Sequence, residues 1–195
     1  MKLHTVTGGM LGVNCYVIEM ESGCIVIDPG VPMEDIFAVT KEKPIAAVLL
    51  THGHIDHITA LNRTHSLGIP TYIHEADAGM LTDPDKNLSV MFSQGWAYPP
   101  ADHLLKEGDH LRLLGLDIEV LSTPGHTKGS ACYRIDDVLF SGDCLFEGSY
   151  GRTDFPGGSD AEMRTSLRRL KALPGNTTVY PGHGPSTTIA AEQWW

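Results

Sequence analysis

The 195-residue chain has no apolar run long enough to span a bilayer, and its first residues lack the basic, apolar and small-residue order of a secretion signal. We therefore expect a cytoplasmic protein that does not bind membranes. Basic residues are also scarce, since 14 lysines and arginines stand against 24 aspartates and glutamates and leave a formal net charge of −10. Because such an acidic chain repels the phosphates of nucleic acids, we expect no nucleic-acid partner either.

Cysteine is sparse and forms no recognisable pattern. The chain has four cysteines and no CxxC pair, which argues against a zinc knuckle and a dithiol redox motif. Because a chain of this size can build its core without disulfides, we expect small, reduced, buried thiols. Internal repeats, low-complexity tracts and proline- or serine-rich linkers are absent too, which favours a single domain over residues 1–195.

Short β-rich runs alternate with amphipathic helical segments. The patterns predict helices at 32–41, across 58–67 and after Ser159, and strands at 13–18, 24–27, 45–50, 71–74, 116–121, 131–135, 138–141 and 178–180. Ser159 and Glu162 form a capping box at the start of the last helix. Residues 81–100 are rich in turn formers and aromatics, which indicates a lid or loop. This order predicts a layered α/β protein.

Four candidate metal ligands lie within six residues, directly after the predicted strand 45–50. They are His52, His54, Asp56 and His57. Imidazole and carboxylate groups suit zinc and similar ions. Residues two apart in an extended loop point the same way, so His52 and His54 could share one ion while Asp56 and His57 turn toward a second.

Three further candidates each follow the end of a predicted strand. His126 comes after a Pro-Gly turn, Asp143 after a glycine, and His183 after another Pro-Gly turn. Sites in α/β sheets tend to lie beyond the carboxyl ends of strands, so we expect these side chains near the first four. Any one of these signals taken alone is more typical of a structural or solvent-exposed residue.

The HxHxDH motif followed by His126, Asp143 and His183 resembles the metallo-β-lactamase superfamily over essentially the whole chain. The resemblance implies an αββα sandwich, with two mixed sheets and helices on the outer faces. It also implies two divalent ions, zinc first, with iron or manganese as alternatives. The implied ligands are His52, His54 and His126 for one ion and Asp56, His57 and His183 for the other. Asp143 and a hydroxide would bridge both ions, and Asp56 and Asp143 would be catalytic.

The string Gly-Arg-Thr-Asp-Phe at 151–155, with GHGPSTTI near the end, resembles small bacterial glyoxalase II-like hydrolases. This implies cleavage of a small-molecule thioester, such as hydroxyacylglutathione or another acyl-thiol. The chain ends at Trp195, before the C-terminal helical region that holds glutathione in full-length glyoxalase II, so the thiol stays open. A homo-oligomer stays open as well. Asp143 and the lack of a secretion signal argue against antibiotic hydrolysis.

The same resemblance leaves three other functions open. Persulfide dioxygenases share the string at 151–155 and would hold one iron with His52, His126 and Asp143 only. A lactonase would use the same ligands as the thioesterase on an ester substrate. A metal-binding protein without catalysis is the remaining class.

Several residues near the motifs have both a functional and a structural interpretation. Arg152 could bind a substrate carboxylate or pair with Asp154. Lys128 could steer an anionic substrate or stay solvated, and Tyr150 could donate to an oxyanion or pack. Asp28 could accept a hydrogen bond from a liganding histidine or cap a turn.

Overall fold

The computed structural model describes residues 1–41 and 43–193, so Trp195 of the predicted domain lies outside it. Within these residues the helices are Met33–Thr40 (α1), Ile55–Ile58 (α2), Leu61–Ser66 (α3), Ala78–Leu81 (α4) and Asp160–Lys171 (α5). The strands are Lys2–Gly8 (β1), Val13–Glu19 (β2), Cys24–Ile27 (β3), Ile45–Leu49 (β4), Thr71–His74 (β5), His103–Leu105 (β6), His110–Leu113 (β7), Leu116–Ser122 (β8), Ala131–Ile135 (β9), Val138–Gly142 (β10), Thr178–Pro181 (β11) and Thr187–Thr188 (β12).

The strands form two mixed six-stranded sheets, in the orders β1-β2-β3-β4-β5-β6 and β12-β11-β10-β9-β8-β7. In the first sheet, β3 to β6 are parallel, and helices α1 to α4 lie in the connections between β3 and β5 or between β5 and β6. In the second sheet, only β10 and β11 are parallel, and α5 connects them. Parallel neighbours need such crossovers, so the helices lie on the faces of the sheets.

Alternation along β3 explains how the first sheet buries both of its faces. Ile25 and Ile27 belong to the core between the sheets, together with Tyr133 and Phe140 of the second sheet. Val26 points the other way, into a core that the first sheet shares with α1, α2 and α3. A third core joins the outer face of the second sheet to α5. These three cores make the four layers of the predicted αββα sandwich, which is confirmed.

The predicted helix across 58–67 is wrong in one respect, because the structure divides this stretch into α2 and α3. The amide of Ala60 donates to the carbonyl of Pro29 at 2.9 Å, and the backbone leaves the α-helical region there. Asp56 and His57 lie in α2, which begins directly after His54. Strands β1, β6, β7 and β12 are additions to the predicted set.

The structure also bears on the predictions for the cysteines and for the last helix. All four cysteines are buried and none forms a disulfide. No helix in the described ranges is long and apolar enough to cross a membrane. The hydroxyl of Ser159 accepts from the amide of Glu162 at 3.3 Å, so the predicted N-cap of α5 is present.

Candidate metal centre

The candidate ligands leave their strands at one end of the sandwich. The first four follow β4, and the other three follow β8, β10 and β11. Their ligating atoms form three overlapping groups, and within each group the atoms lie within 4.8 Å of one another. The groups are His52, His54 and His126; His52, His57 and Asp143; and Asp56, His57 and His183.

Asp143 lies between the first and last of these groups. Its Oδ1 atom is 3.3 Å from Nε2 of His57, and its Oδ2 atom is 3.5 Å from Nε2 of His126 and 3.7 Å from Nε2 of His183. One carboxylate therefore has an oxygen within reach of either side of the cluster.

The cluster has the unpaired polar atoms that a metal site requires. Four buried atoms there have no hydrogen-bond partner: Nε2 of His52, His54 and His57, and Oδ1 of Asp143. Elsewhere in the described residues only the hydroxyl of Thr177 shares this condition. Buried polar groups without partners are costly and rare in proteins. Imidazole nitrogens and carboxylate oxygens at this spacing fit a pair of divalent ions.

Hydrogen bonds to Nδ1 orient the rings of His52 and His57 and leave their Nε2 atoms without a hydrogen-bond partner. Asp28 accepts from the amide and hydroxyl of Thr51 at 2.8 and 2.6 Å and from Nδ1 of His57 at 2.9 Å. Because the hydroxyl proton of Thr51 goes to Asp28, its oxygen is free to accept from Nδ1 of His52 at 3.2 Å. Asp28 thus both caps the end of β3 and orients a candidate ligand.

His126 is held by a backbone group rather than a side chain. Its Nδ1 atom lies 2.7 Å from the carbonyl oxygen of Arg152, which can only accept. The ring proton is therefore on Nδ1, and Nε2 is an acceptor that lies 2.9 Å from Nδ1 of the neighbouring candidate ligand His54. Residues 151–155 thus have a structural role that no side-chain pattern could indicate, because it is carried out by a carbonyl.

A second buried carboxylate links the two loops that carry the first group. Asp77, just before α4, accepts from the amides of Gly53 and Gly129 at 3.3 and 2.7 Å and from the hydroxyl of Thr127 at 2.6 Å. No local sequence pattern indicates this residue, because its partners are 24 to 52 positions away.

The turn that carries His183 is fixed from the other sheet. The amide of Asn14 in β2 donates to the carbonyl of Gly182 at 2.8 Å. Its side-chain nitrogen donates to the carbonyls of Pro181 and Gly184 at 3.1 and 2.8 Å. The cluster therefore forms only when the two sheets pack together.

Burial and charge separate the histidines into two kinds. Burial, with the neighbouring histidines, lowers the pKa of His52 well below its usual range and that of His54 to about 3. Burial also opposes protonation of His57, but nearby carboxylates outweigh it and raise the pKa of His57 well above normal. The pKa of His183 is raised in the same way by Asp56. Without metal, His52 and His54 are therefore neutral at neutral pH, whereas His57 and His183 are paired with carboxylates.

A cavity of about 380 Å³ opens onto the cluster. Its floor contains five of the candidate ligands, and its walls are largely apolar: Leu11, Leu88, Met91, Phe92, Phe146 and Phe155. A larger cavity of about 540 Å³ lies beside Met33 and Arg63, but none of the seven candidate ligands lines it. The cavity over the cluster is thus the better candidate for substrate binding, because it has both volume and reactive groups.

The three candidate substrate residues lie in different surroundings. Arg152 lines the cavity, forms two 2.6 Å hydrogen bonds to Asp154 and lies 3.8 Å from the ring centre of Phe155. Lys128 is exposed and lines a neighbouring cavity of about 330 Å³. Tyr150 packs against the core shared with α5.

The family model of the metallo-beta-lactamase superfamily matches residues 8–183, and the chain belongs to this superfamily. It is 38% identical to the probable metallo-hydrolase YqgX of Bacillus subtilis, over 99% of this chain and 95% of that protein. It is 35% identical to the hydroxyacylglutathione hydrolase GloC of Haemophilus influenzae, over 92% of this chain and 89% of that protein.

Solved structures agree with this assignment. BLEG-1, described as a B3 metallo-beta-lactamase, superposes with a TM-score of 0.91 at 36% identity, covering 98% of this chain and 96% of that one. TTHA1623 in a di-iron-bound form gives 0.87 at 37% identity, with 98% and 97% covered. ETHE1 from Myxococcus xanthus gives 0.82 at 29% identity, with 100% and 82% covered.

Proposed function

We propose that the protein is a dinuclear metal-dependent hydrolase that cleaves thioesters of small acyl-thiols. The observation that carries the proposal is the position of Asp143, whose two oxygens lie near His57 on one side and His126 on the other. A carboxylate between two nitrogen-rich groups is the arrangement that a two-ion site needs.

In this proposal His52, His54 and His126 would hold one ion, Asp56, His57 and His183 would hold the other, and Asp143 would be shared between the two groups. When bound, such ions supply Lewis-acid polarisation and lower the pKa of water. The chain's own part is to orient the ligands through Asp28 and to keep acceptor groups ionised. Charge pairing with His57 keeps the pKa of Asp56 and Asp143 low despite burial, so both are acceptors at neutral pH.

The thioester is supported by the resemblance of residues 151–155 and by the relative named as a hydroxyacylglutathione hydrolase. In the overall reaction, water forms a C–O bond to the acyl carbon, the C–S bond breaks, and one proton of the water ends on the thiol. The metal is zinc, iron or manganese, and the relative with two irons supports a site that accepts iron.

A persulfide dioxygenase with one iron is less well supported, because it would leave the group of Asp56, His57 and His183 without a ligating role. The test also includes substrates for the other functions, because the chain is similar to ETHE1 and BLEG-1 and because a lactonase would use the same ligands.

The test is a substrate panel on protein loaded with zinc, iron or manganese: thioesters, lactones, a β-lactam, and a persulfide with an oxygen electrode. We expect thioesters to be cleaved fastest, and His57→Ala to lower that rate by about 100-fold or more. The matched control is His110→Ala, an exposed histidine paired with Asp117 outside the cluster. Full activity in His57→Ala, or oxygen uptake without thioester cleavage, would overturn the proposal.

A further inference from the structure

Large apolar side chains are exposed around the mouth of the site cavity. Leu11 is 68% exposed, Met91 59% and Phe92 46%, and all three line the cavity above the candidate ligands. Val90 and Trp96 on the same segment are exposed as well. Exposed apolar side chains that cluster beside reactive groups indicate a binding surface, whereas single exposed apolar residues scattered over a protein surface are normal.

The segment that carries Met91 and Phe92 is held in place by buried polar contacts. The side-chain nitrogen of Asn87 donates to the carbonyl of Trp96 at 2.9 Å, and the hydroxyl of Ser89 accepts from the amide of Trp96 at 2.7 Å. The carbonyl of Asn87 accepts from the amide of Ile55 at 2.9 Å, beside the candidate ligand Asp56. Asn87 and Ser89 are fully buried, so the apolar wall is a built feature.

Leu11, from a different part of the chain, also lines the cavity. It stands at the tip of a tight turn between β1 and β2 with φ +58°, between Gly9 and Gly12, which also have positive φ. A leucine in this backbone region is strained, and it gains no burial from the strain in the protein alone. Contact with an apolar ligand would supply that burial.

Charge in the cavity walls is largely offset. The guanidinium of Arg152 is the one cation among the lining residues, apart from the histidines of the cluster. It is held by two hydrogen bonds to Asp154, and its face lies against the ring of Phe155. A charged substrate end would compete with Asp154 for this group, whereas an apolar end meets aliphatic and aromatic carbon on both sides.

We propose that this cavity takes the acyl group of the substrate, and that this group is an uncharged aliphatic or aromatic chain of medium length. The proposal rests on the thioester hydrolysis proposed above and specifies its substrate class. The cavity of about 380 Å³ lies in the range that small organic ligands occupy.

The first test uses acyl thioesters of N-acetylcysteamine, a small neutral thiol, with acetyl, butanoyl, hexanoyl, octanoyl and succinyl groups. We expect kcat/KM to rise by about two- to four-fold per methylene up to octanoyl, and succinyl to be a poorer substrate than butanoyl. A rate that is flat in chain length, or fastest for succinyl, would overturn the proposal.

Variants of the apolar cavity wall test whether that wall causes the dependence on acyl chain length. Met91→Ser and Phe92→Ser should flatten the chain-length dependence, so that the octanoyl rate falls by a larger factor than the acetyl rate. Leu104→Ser is the matched control, because Leu104 is 55% exposed on β6 and does not line the cavity. Equal effects of Met91→Ser and Leu104→Ser would contradict the assignment.

A binding measurement separates this proposal from the proposed reaction. Calorimetry of acetate, hexanoate and octanoate with the metal-loaded protein should show affinity rising with chain length, and less so in Met91→Ser. If affinity rises with chain length while no thioester is cleaved, the apolar binding site is confirmed and the proposed thioester hydrolysis is wrong. If thioesters are cleaved but neither rate nor affinity depends on chain length, the proposed thioester hydrolysis is confirmed and the proposed apolar acyl site is wrong.

Discussion

Replacing Asp28 by asparagine tests how the cluster is held together. The carboxylate is 2% exposed and accepts three hydrogen bonds, two from Thr51 and one from His57. An amide has the same shape but only one accepting atom. Its nitrogen must therefore replace either Oδ1, which faces the amide of Thr51, or Oδ2, which faces both the hydroxyl of Thr51 and the Nδ1–H of His57.

In either orientation of the amide a donor meets a donor. Where the amide nitrogen faces His57, the ring can relieve the conflict by moving its proton to Nε2, but that atom is then no longer a metal ligand. Loss of such an outer partner costs about 10- to 100-fold in metal affinity, which is about 1.4–2.8 kcal/mol. The change also lowers the pKa of His57, which removes a competing proton and favours metal binding. At alkaline pH this opposing effect is smaller, because His57 is then less protonated before the metal binds.

The assay is competition with a chelator of known affinity, at pH 7 and at pH 9. We expect Asp28→Asn to weaken binding at both pH values, and more strongly at pH 9. Asp102→Asn serves as the control, because Asp102 accepts from the amide of Thr71 at 2.8 Å and lies outside the cluster. Affinity at pH 9 within two-fold of the unchanged protein would refute the role assigned to Asp28.

Three further predictions concern packing and protons. Gly182→Ala should abolish binding of the second ion, because its Cβ would overlap Oδ1 of Asp143 and lie 2.7 Å from Cε1 of His57. Gly79→Ala, whose Cβ meets nothing within 4 Å, should leave binding unchanged by elemental analysis, and equal occupancy in both variants would contradict the geometry. Metal binding at pH 7 should release protons from His57, whose pKa is raised by its carboxylate neighbours, and metal affinity should therefore rise with pH. Heats of binding that do not change between buffers of different ionisation enthalpy would disprove that release. Phe140→Ala should lower the free energy of unfolding by about 3–5 kcal/mol in urea titration, since the ring is buried between the sheets, and a loss under about 1 kcal/mol would contradict that packing.

The layered fold was predictable because its signals are local. All four residues of β3 are apolar, as expected of a strand covered on both faces, and the structure buries both faces. Met163, Leu167 and Leu170 recur at helical spacing, and the structure buries that face of α5. The break at Ala60 was not predictable, because it depends on a hydrogen bond to Pro29 from a distant loop.

The convergence of the seven candidate ligands could be predicted for a similar reason. Four of them lie in one short motif, and the others follow strand ends that a sheet brings together. Two of the groups that orient these ligands could not be predicted from local sequence. Asp77 and the carbonyl of Arg152 act across long sequence separations, and a backbone carbonyl leaves no mark in the sequence. The apolar wall around Met91 was foreseen only as a lid or loop, because its form depends on the buried contacts of Asn87 and Ser89.

The central claim is a two-ion site built around Asp143, and metal content per chain tests it most directly. Elemental analysis should use protein purified without chelators or a metal-binding tag. The account predicts about two equivalents of zinc, iron or manganese per chain. One equivalent of iron that titration cannot raise to two, or no bound metal at all, would contradict it.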